Sequence, residues 1–226
     1  MKADYDWHIL DNADQVATIA CKEILTAAET AIAKQGQFKL VLAGGTTPEK
    51  VYRLLAESNA DWPLWFIYYG DERCLPADHT DRNSVMAEQA FLGKVGIPQA
   101  QIFTIPAELG NEPAALQYRQ VLKGALPFDL VLLGMGEDGH TASLFPGHQH
   151  NAEELVHAVY NSPKPPPERV SMSAKALGHA RQVLFLITGA NKQEAVKLWR
   201  SGHNLPVAKI ISDHIDVYVD RDAYSD

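Results

Sequence analysis

Cysteine is scarce in this chain: only Cys21 and Cys74 occur, with no C-x-x-C spacing for metal or redox chemistry. Cys21 falls in an alanine-rich helical pattern and Cys74 in a loop, as expected of two free thiols in a reducing compartment. No apolar run approaches the roughly 18 residues of a membrane span. The opening MKADYDWHIL has neither a long apolar core nor a small-residue cleavage site, so no secretory signal and a cytoplasmic location are expected. Positive charge is also in short supply. The chain has 20 Lys and Arg against 28 Asp and Glu, a net charge of -8. That excludes the broad positive field of a nucleic-acid binder. An anionic ligand would have to be held by a few local cations. Internal repeats, low-complexity tracts, the G-K-[ST] ending of a P-loop and a G-x-S-x-G nucleophile elbow are all missing; Ser143 is therefore a poor nucleophile candidate.

What is present is an ordinary globular composition, 46% hydrophobic over 226 residues, which suits one α/β domain spanning 1–226. Apolar spacing predicts a helix over 12–35, ended by Gly36. FKLVLA (38–43) reads as a strand, followed by GGTTP and a helix opening near Pro48. LWFIYY (64–69) is a second strand, and 82–92 and 113–123 read as helices. FDLVLL (128–133) is the cleanest buried strand. Further strands are expected at 155–160, 169–173 and 182–188, a helix over 189–200, and a last strand at VYVD. Strands alternating with helices predict a mainly parallel, doubly wound sheet with helices on both faces.

In such a fold, ligands bind outside the carboxyl ends of the strands. The segments that follow the strands are Gly44-Gly45-Thr46-Thr47, Asp71-Glu72-Arg73, Gly134 to His140, and Gly189-Ala190-Asn191-Lys192. The glycine-rich and polar residues therefore gather on one edge. Gly44, Gly45, Thr46 and Thr47, leading into a helix, read as a phosphate cradle; the alternative is an ordinary turn with a threonine cap. Lys192 in the first turn of a helix opposes the dipole unless an anion lies between. Arg169, after the proline-rich NSPKPPPE loop, can join it. For each cation the alternative is a solvated surface charge.

GMGEDGH (134–140) matches G-x-G-x-x-G. Glu137 and Asp138 lie where a pyrophosphate would rest, however, and no acidic residue ends a following strand at the expected separation. The loop instead presents one imidazole, His140, which can take a proton from water near neutral pH, with Asp138 placed to orient it. The alternative is a loop histidine bonded to backbone. His148 and His150 read as loop surface; their spacing with His140 matches no standard zinc pattern.

Five stretches resemble 6-phosphogluconolactonases: LAGGTTPEKVY, YYGDERCLPADHTDRNSVMA, FDLVLLGMGEDGHTASLFPGH, PPPERVSMS and ITGANKQEAV. They run in the family's order from residue 42 to 196. The resemblance implies a Rossmann-like open sheet of the deaminase and ribose-5-phosphate isomerase type and hydrolysis of 6-phospho-D-glucono-1,5-lactone. By position, His140 is similar to the family's general base, Asp71 and Arg73 to its acidic-basic pair beside the sugar ring, Arg169 and Lys192 to its phosphate ligands, with Gly45 and Thr46 in the cradle. The SMS at 171–173 departs from the family's usual Thr or Leu. The implied partner is a small phosphosugar lactone, with no metal or organic cofactor, no nucleic acid and no membrane, in a monomer or weak homodimer. Two other readings stay open. One is a glucosamine-6-phosphate deaminase-type enzyme with Asp71 as base, although GHTASLFPG and DER differ from that group's G-H-I-A-F-N-E-P and D-E-Y. The other is a non-catalytic sugar-phosphate sensor.

Overall fold

The computed structural model describes residues 5–224. Its strands are β1 (Asp6–Leu10), β2 (Phe38–Leu42), β3 (Trp65–Tyr69), β4 (Asp71–Arg73), β5 (Ile102–Phe103), β6 (Phe128–Gly134), β7 (Val156–Val159), β8 (Arg169–Met172), β9 (Ala180–Ile187) and β10 (Ile215–Asp220). The α-helices are α1 (Ala13–Gln35), α2 (Thr46–Ala56), α3 (Asn83–Ala90), α4 (Asn111–Leu122), α5 (Ala174–Gly178) and α6 (Gln193–Arg200).

Seven strands form one parallel sheet in the order β1-β10-β9-β6-β2-β3-β5. β6 lies at its centre, and every residue from Phe128 to Leu133 is buried. That is why FDLVLL reads as a nearly continuous apolar run rather than an alternating one. The helix expected over 12–35 forms as α1. Asn12 caps it by accepting from the Asp14 and Gln15 amides, and Gly36 ends it at φ 76°, a left-handed conformation that costs glycine little. Its buried stripe of Val16, Ala20, Ile24, Ala28 and Ala31 packs over β10, β6 and β9. No helix among the described residues is long and apolar enough to cross a membrane.

The topology also places the site. From β2 the chain moves outward through β3 to β5, then returns to the other side of β2 with β6 and continues outward through β9 to β10. The order reverses between β2 and β6, and the loops leaving their carboxyl ends diverge there. This is the crevice in which open α/β sheets bind ligands.

Three expectations need correction. The strands at 155–160 and 169–173 exist as β7 and β8, but they leave the main sheet and pair antiparallel with β4 in the order β4-β8-β7. Asp71-Glu72-Arg73 is accordingly a short strand in register with Ser171, Val170 and Arg169, not a free loop. The helix after the first cradle forms as expected, beginning at Thr46 with Pro48 in its first turn. The helix expected over 189–200 opens with a 3-10 turn at Ala190–Lys192, which makes Lys192 the cap of α6.

Candidate active site

A cavity of about 460 Å³ opens at the carboxyl edge of the sheet. Gly44, Gly45, Thr46 and Thr47 line one side, after β2. Asp71 and Arg73 enter from β4, His140 from the loop after β6, Arg169 from β8 and Lys192 from the segment after β9. The residues singled out from the sequence thus share one cavity, except Asp138, which stands behind His140.

The first wall is a helix start. Gly45 caps α2 at φ 109°, in the positive range where a side chain is strained. The first turn closes with the Glu49 amide donating to the Gly45 carbonyl at 3.0 Å. Pro48 has no N–H to offer, and no described residue accepts from the amides of Gly45, Thr46 or Thr47. Their donors and the positive dipole end of α2 are what an anion requires. A Cβ on Gly44 would lie 2.1 Å from Asn83 Oδ1, so this glycine exists for close packing. Thr46 is exposed, whereas Thr47 is buried and its hydroxyl meets that of Thr188 at 2.7 Å. Thr47 ties the β2 and β9 loops together, and Thr46 alone of the two keeps a free hydroxyl.

The opposite wall carries the imidazole. His140 Nδ1 lies 2.5 Å from Asp138 Oδ1, and the His140 amide donates to the same oxygen at 3.2 Å. The ring rests against Phe145, centroid to centroid 4.7 Å. The loop is closed by hydrogen bonds from the Gly136 amide to the His140 carbonyl (2.8 Å) and from the Gly139 amide to the Gly136 carbonyl (3.0 Å). The Thr141 hydroxyl pins it to the Gly134 carbonyl at 2.8 Å. A Cβ on Gly136 would sit 2.0 Å from His140 Cε1 and Nδ1. The middle glycine of G-x-G-x-x-G therefore makes room for a side chain of the same loop. Burial pushes the His140 imidazole below its ordinary pKa, and the hydrogen bond and charge of Asp138 oppose that shift. Burial favours the neutral Asp138 acid, but the bonds from His140 outweigh it and hold the carboxyl below its ordinary value. The pair is thus a neutral imidazole beside a carboxylate, with Nδ1–H donating to Asp138 and Nε2 without a hydrogen-bond partner among the described residues.

The DER and RNS segments explain each other. The buried Glu72 carboxylate accepts from the amides of Arg73 (2.9 Å), Asn83 (2.8 Å) and Ser84 (2.9 Å), capping α3 from outside. The Arg82 guanidinium lies 3.4 Å from it and is itself fixed by Glu108 at 2.8 Å. Glu72 and Arg82 are scaffold. Asn83 then donates to the Asp71 carbonyl (3.0 Å) and to Oδ1 (3.1 Å), and the Ser143 hydroxyl donates to Oδ2 at 2.5 Å. Arg73 donates to the Asp81 carbonyl.

Besides Arg73, three cations face the cavity. Arg169, 6% exposed, donates to the carbonyls of Pro165 (2.8 Å), Lys164 (3.2 Å) and Pro166 (3.3 Å). It leaves Nη1 without an acceptor among the described residues, so part of its hydrogen-bonding capacity is spent on folding the proline-rich loop. Lys192 is half-buried; burial lowers its pKa, and Glu137 opposes that. Lys164, on the loop Arg169 holds, also lines the cavity, and its charge is felt at both His140 and Lys192. Sequence reading passed over Lys164 as part of a loop, and it missed Asn83, Ser143 and Thr188 as partners within the site. For Asn83, Ser143 and Thr188 the signal is their place in stretches that carry the family resemblance.

The model of the glucosamine-6-phosphate isomerases/6-phosphogluconolactonase family matches residues 11–219. The chain belongs to this family. A 6-phosphogluconolactonase of Nostoc sp. is 38% identical over 195 residues, covering 81% of this chain and 80% of the relative. A protein described as probable 6-phosphogluconolactonase 4, chloroplastic, of Oryza sativa subsp. indica is 36% identical over 209 residues, which cover 84% of this chain but 64% of the rice protein. The chain thus spans under two thirds of that relative's length. The crystal structure of 6-phosphogluconolactonase from Thermotoga maritima superposes with a TM-score of 0.90 at 28% identity, over 96% of this chain and 100% of that one. The parallel α/β fold is thus shared with that structure.

Proposed function

We propose that the cavity hydrolyses 6-phospho-D-glucono-1,5-lactone to 6-phosphogluconate, with His140 as the general base. The observation that carries this reading is the His140–Asp138 pair. It presents an unpartnered Nε2 to a cavity whose other walls offer free amides and cations. The 6-phosphate is received by the amides of Gly45, Thr46 and Thr47, the Thr46 hydroxyl, Lys192 and the free edge of Arg169. Gly44 and Thr47 shape that cradle without contributing a side-chain donor to it.

Water then stands between His140 Nε2 and the lactone C1. His140 takes its proton as the oxygen attacks, and the carbonyl becomes a tetrahedral oxyanion, stabilised by nearby donors such as Arg73. Collapse breaks the C1–O5 bond, and the imidazolium returns its proton to O5. The product acid ionises, so each turnover consumes one water and releases one proton. Asp71 has both carboxylate oxygens engaged, by Asn83 and Ser143. That favours a positioning role beside the ring over the role of base that a deaminase mechanism would give it. The test is stoichiometric proton release from the lactone in weak buffer, above the spontaneous rate. Ammonia release from glucosamine 6-phosphate without lactone hydrolysis would contradict the reading.

Two predictions follow from the charges. Because burial lowers the His140 pKa, the active neutral form persists through neutrality. Activity is expected to be flat there and to fall with acid only below about 6.5, the ordinary histidine value. An acid limb centred above that value in a kcat/KM profile would contradict this environment. Lys192 is half-buried, and a charge-assisted hydrogen bond is worth about 1.5–3 kcal/mol. Lys192→Ala is therefore expected to raise KM about 10–100-fold. Lys164 is exposed, and solvent screens such a charge, so Lys164→Ala is expected to raise KM by no more than about fivefold. Steady-state kinetics on both variants checks the order.

A further inference from the structure

The parallel sheet has a second concentration of ligating side chains, at the edge opposite the cavity. Asp6 opens β1, Asp216 lies near the start of β10, and the two are register partners. The two-residue repeat of a strand puts His8 on the same face as Asp6. One ligand atom from each of Asp6, His8 and Asp216 lies within 4.8 Å of the others. His8 Nε2 is 2.8 Å from Asp216 Oδ1, and His214 Nε2 is 3.2 Å from Oδ2. Gln182 donates to Asp216 Oδ2 at 2.8 Å and to Glu23 at 3.1 Å.

This arrangement is over-supplied with negative charge. Among the described residues no lysine or arginine pairs with Asp6, Glu23 or Asp216; the partners of Asp216 are two imidazoles and an amide. The His8–Asp216 hydrogen bond does not involve Asp6, whose exposed carboxylate stands beside it. A divalent cation would engage all three groups, because two carboxylates and an imidazole supply it with two negative charges and a nitrogen donor.

We propose that Asp6, His8 Nε2 and Asp216 Oδ1 form a binding site for a zinc-class divalent cation. The fourth position is taken by water or by the His214 imidazole. Mixed nitrogen and oxygen ligation with an open fourth position suits zinc, and an imidazole ligand disfavours magnesium and calcium. Gln182, held by Glu23, orients the Asp216 carboxylate in the way outer partners orient metal ligands. The site joins edge strand β1 to β10, so its consequence is tethering of that edge. Catalysis, at the other edge of the sheet, does not use it.

The test is titration of the metal-stripped full-length protein with zinc chloride, by calorimetry and by thermal unfolding. One saturable site is expected, with a rise in Tm on binding. Removing a ligand should cost at least the roughly 10–100-fold that loss of an outer-shell partner costs. His8→Ala and, as a variant at an exposed position that leaves the core untouched, Asp6→Asn should each weaken zinc by that factor and remove the Tm rise. Lactonase activity should be the same with and without zinc. His150, partly exposed, stacks on the buried His157 at 4.4 Å elsewhere in the fold, so His150→Ala is the control and should leave the titration unchanged. No saturable zinc uptake, or wild-type affinity in both His8→Ala and Asp6→Asn, would overturn the proposal.

Discussion

His140→Asn is expected to lower kcat for lactone hydrolysis by about 10²–10⁴-fold, the usual worth of general acid–base assistance, with little change in KM. Asparagine keeps a donor to face Asp138 but has no nitrogen able to take a proton. The phosphate cradle lies across the cavity on α2 and does not involve this side chain. His140 is on a loop outside the sheet and is not part of the apolar core, so Tm should stay close to that of the wild type. A loss of activity accompanied by an equal loss of stability would indicate a structural histidine. Wild-type kcat in the folded variant would remove His140 from the mechanism.

Gly136→Ala should be nearly as damaging, for a reason of geometry. The new Cβ would lie 2.0 Å from two atoms of the His140 ring and 2.8 Å from Asp138 Oδ1, closer than non-bonded atoms tolerate. The Gly136 backbone is not in the left-handed region, so alanine is not excluded there by its own φ. The ring and its carboxylate must move instead, by about 1 Å, and a misplacement of that size costs about 10²-fold in rate. Kinetics should show the loss in kcat, with KM for the phosphorylated lactone largely kept. Gly139→Ala makes a useful contrast. Its φ of 77° and the Leu205 side chain 2.8 Å from the added Cβ predict reduced stability as well as reduced activity.

Much of this is legible in the sequence. The continuous apolar run of β6, the Asn12 and Gly36 boundaries of α1, and the succession of polar loops after the strands are local features, and local physics governs them. What escaped depends on contacts distant in sequence. The strand at Asp71–Arg73 is three residues long and exists because β8, about a hundred residues later, pairs with it. Its residues show no periodicity of their own. β1 is an edge strand whose residues are all at least partly exposed, so WHIL carries little alternation to read. Ser143 was set aside because it lacks a nucleophile motif, yet its hydroxyl holds Asp71, a contact no spacing rule reveals. Lys164 was hidden in a proline-rich loop that takes its shape from Arg169. Arg169 itself was read as a phosphate ligand, and the three carbonyls it holds were invisible in the sequence.

The central claim is that one cavity couples a phosphate cradle to a histidine base. It is tested most directly by comparing kcat/KM for 6-phospho-D-glucono-1,5-lactone and for D-glucono-1,5-lactone, each corrected for spontaneous hydrolysis. Two charge-assisted contacts to the phosphate, at about 1.5–3 kcal/mol each, predict a preference of about 10²–10⁴-fold for the phosphorylated lactone. Equal values for the two lactones, or no rate above background with either, would contradict the account.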